Sequence, residues 1–226
     1  MPDHDASATE TTTPPTDRTR GTAHQQAAMD LVACLQEFAA RNTNAVLAIL
    51  GDAPFVANRH YPDGDLVFGA GCWRAYYHGH DMPGAPDSRM HGHFHIFARA
   101  DESAAFAHVA GLAVDGHGQP LKWFTTNHWV TGEAWRPAEH LASHIPPPEP
   151  QDAEPAARWL SAMLRFGAPH FPDMLAARDA ALAEHCGRTG QSEEAARADR
   201  GLYMLSEREI DLMGELSAAL GLAPES

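Results

Sequence analysis

Apolar residues recur at three- and four-residue spacing near the start of the chain and change to two-residue alternation in its middle. Between Thr22 and Ala40, the positions Ala28, Leu31, Val32, Leu35 and Phe38 fall on one helical face. A second, short helix is predicted over Ala45 to Leu50, stopped by Gly51 and Pro54. YPDGD, from Tyr61 to Asp65, has the residues of a tight turn and leads into β-like runs. Strands are predicted over 66–79, 90–99, 106–115 and 119–130, all rich in aromatic and β-branched residues. The short connection GHGQP makes the last two antiparallel neighbours.

After IPPPEPQDAEP the helical period returns. Asp152 is a candidate cap for a helix with Pro155 in its first turn, burying Trp159, Leu160, Met163, Leu164 and Phe166. Another helix is expected from Pro172 to Cys186, ending at Gly187. Ser206 and Glu209 have capping-box spacing ahead of Ile210, Met213, Leu216 and Leu220. The predicted fold is therefore α+β, a central antiparallel sheet of about four strands, curved or barrel-like, flanked by N-terminal and C-terminal helices. Residues 1–21 lack the apolar content needed to offset ordering entropy and are expected to form a disordered tail. Residues 22–226 are expected to form one domain: helical over 22–60, sheet over 61–136, a proline-rich strap over 137–151, and helical over 152–226.

Charge narrows the possible partners. The net charge is −14, the only lysine is Lys122 and the arginines are scattered, so the basic stripe that nucleic acid requires is missing. The same charge disfavours anionic membrane surfaces and favours cations. No apolar run approaches the ~20 residues of a membrane span, and the N-terminus has no signal-peptide core, so a cytoplasmic protein is expected. Cys34, Cys72 and Cys186 are too few and too far apart for a disulfide framework or a zinc knuckle.

The strongest anomaly is histidine. Of fifteen in the chain, His78, His80, His91, His93 and His95 crowd into one predicted hairpin. Alternation puts His91, His93 and His95 on one strand face with Phe97 and Arg99, opposite the apolar Met90, Gly92, Phe94, Ile96 and Ala98. On the preceding strand Arg74, Tyr76, His78 and His80 share a face, and pairing brings them beside His91 and His93. A neutral imidazole offers one bare nitrogen to a borderline metal while its other nitrogen fixes the ring. All five histidines are candidate ligands of a divalent transition metal, iron, zinc or copper, because calcium and magnesium prefer oxygen. The competing structural reading is a row of solvent-facing imidazoles, the usual fate of an isolated HxH on a strand.

Around this hairpin, LKWFTTNHWVTGEAW mixes large aromatics with polar groups, as a pocket lining does. Trp123, Thr125, Asn127 and His128, with Arg74, are the expected substrate-binding residues. Glu133 is placed as a carboxylate ligand or general base, and Tyr76 as a group that positions substrate or donates a proton. The HxH at His91 and His93, or at His93 and His95, resembles part of the cupin metal motif. The glutamate of that motif is replaced by the run Ile96, Phe97, Ala98, Arg99, and the second cupin motif has no match, so no cupin role is carried over. GxGxxG, Walker, GxSxG and HExxH signatures are all missing. The leading expectation is a metal-dependent enzyme acting on a small-molecule substrate, with oxidation favoured over hydrolysis. A non-catalytic metal or haem carrier, or a pH sensor using the same histidines, is the alternative.

Overall fold

The computed structural model describes residues 17–79, 89–145 and 154–222. His80, the first sixteen residues and most of the proline run lie outside those described residues. The elements are α1 (Asp17–Ala40), α2 (Ala45–Leu50), β1 (Tyr61–Phe68), β2 (Trp73–His78), β3 (Met90–Ala98), β4 (Ala107–Asp115) and β5 (Pro120–Thr126). They continue with α3 (His128–Thr131), α4 (Ala138–Ala142), α5 (Pro155–Gly167), α6 (Phe171–Thr189), α7 (Glu193–Ala198), β6 (Met204–Glu209) and α8 (Leu212–Ala219).

The six strands form one antiparallel, unclosed sheet in simple sequence order, β1-β2-β3-β4-β5-β6. The α+β expectation holds, with corrections of detail: six strands rather than about four, and a sheet that does not close into a barrel. One predicted strand divides into β1 and β2 around a turn in which Gly69, Ala70 and Gly71 all take positive φ. YPDGD does not precede the first strand but lies inside it, as an irregularity between the pairs Tyr61 with Tyr77 and Leu66 with Ala75. The proposed capping-box residues belong to β6, and α8 is capped instead by Asp211, which accepts from the Gly214 amide at 3.1 Å. The turn after β4 is as expected: Asp115 accepts from the amides of His117 at 2.8 Å and Gln119 at 2.9 Å.

Helices cover one face of the sheet. Trp159 of α5 packs on Phe94 with ring centroids 5.6 Å apart, and Phe171 of α6 meets Trp123 at 5.0 Å. Tyr77, Phe94, Ile96, Leu112, Val114 and Trp123 from the strands belong to the same buried cluster. Each buried Leu, Ile or Phe side chain stabilises this layer by roughly 1.5–3 kcal/mol relative to exposure. Because this face is already filled by apolar packing, His78, His93 and His95 fall on the opposite one.

Candidate metal centre

The β2–β3 ladder pairs His78 with His93, Tyr76 with His95, and Arg74 with Phe97. Residues directly opposite in an antiparallel ladder share a face, so these six side chains stand together. His78, His93 and His95 are buried, and each offers a ligand atom within 4.8 Å of the other two. Their rings meet at steep angles, 74° between His78 and His93 and 82° between His93 and His95. Non-parallel rings whose edges converge on one volume are what a shared ion requires, whereas stacked rings would aim their nitrogens apart. Three buried histidines in this arrangement could hold a metal ion.

Two β-bulges select which histidines take part. Between Met90 and Gly92 the β3–β4 register shifts, leaving an extra residue on β3. Met90 consequently packs with Ala113, Leu121 and Phe124, and His91 turns toward Tyr77 and Phe55. His91 Nδ1 lies 2.5 Å from the Tyr77 hydroxyl, away from His93 and His95. Strict alternation, which predicts His91 beside them, is overturned by that one inserted residue. The second bulge is on β4, between the pairs Ile96 with Ala110 and Phe97 with His108. Val109 is the extra residue and stays in the apolar cluster, while His108 joins the histidine face opposite Phe97. His108 Nε2 then lies 3.0 Å from His95 Nδ1.

Glycines make the close approaches possible. A Cβ on Gly92 would collide with the Tyr77 hydroxyl and lie 2.6 Å from the His78 carbonyl oxygen. Gly111, opposite His95, leaves room for the Phe124 ring, whose centroid is 5.4 Å from that of His93 and 6.0 Å from that of His95. Phe124 is thus an apolar wall of the site.

Burial disfavours the charged forms of His95 and His108. The pKa of His95 falls well below the ordinary value, first because burial penalises its charged form and then because His108, His93, His78 and His60 surround it. Burial, helped by the Arg178 charge, lowers that of His108 to about 3. Neutral imidazole is the ligating form. Burial and the nearby carboxylates of Asp65 and Glu133 push the Tyr76 hydroxyl up to about 12, so it stays protonated.

The other sequence-predicted site residues divide between the two faces. Arg74 forms ion pairs with Glu133 and, at 3.4 Å, with Asp65, and its guanidinium stacks over Phe97 and Phe106. Glu133 is therefore engaged with Arg74. Trp123 lies on the helix-covered face, and Thr125 is buried with its hydroxyl 2.7 Å from that of Ser206. Asn127 caps α3, accepting from the His128 amide and donating to the Ala196 carbonyl at 2.8 Å. His128 is the first residue of that helix. None of these four is among the converging histidines, although Asn127 and His128 line a small cavity that His108 also borders. Sequence reasoning missed His108 and His60; the exposed His60 ring stacks on Tyr76 at 3.9 Å and meets His78 edge-on at 5.1 Å. His60 stands before the strand runs, and alternation assigns His108 to the face of Ala110 and Leu112, so no periodic signal marked either.

No described helix is long and apolar enough to cross a membrane. A family model described as a domain of unknown function (DUF6969) matches residues 25–210. No curated protein and no solved structure matches the chain.

Proposed function

The chain belongs to the DUF6969 family, and from the geometry of its histidine face we propose that it is a metal-dependent enzyme acting on a small molecule. His78, His93 and His95 hold a divalent transition metal, iron, zinc or copper, with oxidation favoured over hydrolysis. The observation that carries this reading is the convergence of three buried imidazole ligand atoms within 4.8 Å. Three imidazole ligands satisfy only part of the coordination shell of these metals and leave room for a substrate or water. The set contains no thiolate, and all-imidazole sites suit redox-active metals as well as zinc.

The chain's own residues have separable parts in this proposal. Phe124 and Phe97 exclude water from one side, which strengthens polar interactions within the site. Tyr76, paired with His95 across the ladder and kept protonated, donates a hydrogen bond to the bound small molecule in this reading. Arg74, held by Glu133 and Asp65, fixes the lower end of the same face and orients Phe97.

One observation favours a non-catalytic carrier or sensor instead: His93 and His95 are only 3% and 1% exposed, which restricts access. Two measurements separate the readings. Metal analysis of untagged protein should give about one transition metal per chain, as expected for a single three-ligand site. Azide added to the Co(II)- or Cu(II)-loaded protein should shift its visible spectrum if a coordination position is open. Metal binding with no response to azide would support the carrier, and absence of metal binding would remove both readings.

A further inference from the structure

The β4 bulge decides which face His108 occupies. It takes a histidine that alternation would direct toward the helices and turns it onto the opposite face, against His95. Two imidazole nitrogens 3.0 Å apart share one hydrogen bond, in which one ring donates and the other accepts. Nδ1 of His95 is the nitrogen used, so Nε2 is left for an ion. A ring that ligates through Nε2 carries its proton on Nδ1 and needs an acceptor there.

We propose that His108 is the outer-sphere positioning residue of the metal centre: its Nε2 accepts the Nδ1 proton of His95, locks that tautomer, and aims His95 Nε2 at the metal. The inference rests on the metal reading above and adds a residue outside the ligand set. His108 suits the task because its ring is wedged against Phe97, with centroids 5.4 Å apart, and cannot easily swing away. It also borders a cavity of about 10 Å³ whose lining includes Thr126, Asn127, His128, Glu133 and Arg178, space for about one water.

The test compares three substitutions of His108 in the full chain by Co(II) titration, with circular dichroism as the check on folding. Gln can place its amide oxygen near the position of the imidazole Nε2, Asn is one methylene too short, and Leu offers no acceptor. Expected results are Co(II) affinity within a few-fold of wild type for His108→Gln, and a 10–100-fold loss for His108→Leu and His108→Asn, as for other outer-shell partners. The visible Co(II) spectrum should be retained in the Gln variant and altered in the other two. Should the Leu variant fail to fold, the contrast between Gln and Asn decides. Equal affinity in all three variants, or a Gln variant as weak as Leu, would overturn the role of His108 while leaving the three-histidine site intact. A wild-type chain that takes up no Co(II) would overturn the metal reading itself.

Discussion

His78 and His93 face each other directly across the β2–β3 ladder, with ring centroids 4.4 Å apart and planes at 74°. Ladder pairing fixes the distance between their backbones, so the pair is set by the sheet and does not depend on a flexible loop. His95, two residues along the same strand, completes the group because β3 is regular from Gly92 to Ile96.

That geometry separates two histidines which look equivalent in the sequence. His93→Ala should abolish stoichiometric metal binding, whereas His91→Ala should leave it unchanged, because His91 is bonded to Tyr77 away from the group. Metal content by mass spectrometry after gel filtration checks both. Equal loss in the two variants would refute the assignment.

The Tyr77–His91 contact is predicted to be structural. Tyr77→Phe should lower unfolding stability by about 1 kcal/mol, the usual net worth of a hydrogen bond, without altering metal content. Gly92→Ala should cost more, about 1–3 kcal/mol, because its methyl has to displace both the Tyr77 hydroxyl and the His78 carbonyl. Urea denaturation of the metal-free proteins measures each; an unchanged midpoint in Gly92→Ala would contradict the close approach.

Glu133 provides a further discrimination. Its carboxylate pairs with Arg74, so Glu133→Gln should keep full metal content and lose about 1 kcal/mol of stability, a value between exposed and fully buried ion pairs. Loss of metal in this variant would make Glu133 a ligand after all.

Acid should destabilise the metal-free protein in a definite window. His108 has a pKa of about 3 when folded, against an ordinary value of 6.5, and that of His95 is shifted in the same direction. Between those limits the unfolded chain binds more protons than the folded one, so stability falls as pH drops. The contribution is complete above about pH 6.5 and is lost progressively toward about pH 3. In EDTA, the melting temperature should fall over this range less steeply for His108→Gln than for wild type. Parallel curves would show that His108 is not held neutral by the fold.

The sequence by itself determined several of the main elements and the place to look. Helices over Ala45–Leu50 and after Pro155, and strands close to β3 and β4, arise from periods of 3.6 and two that burial on one face imposes. The crowding of histidine between positions 78 and 95 likewise marked the hairpin. β6 escaped notice because MLSERE has one buried side chain and is held to β5 through backbone pairing, which leaves little apolar pattern. Only the tertiary structure decided the membership of the site. Alternation assumes an unbroken ladder, and one inserted residue reverses the face of the side chains beyond it. The bulge at the start of β3 removed His91, and the one formed by Val109 delivered His108, because register is set by pairing with neighbouring strands that no local stretch of sequence contains.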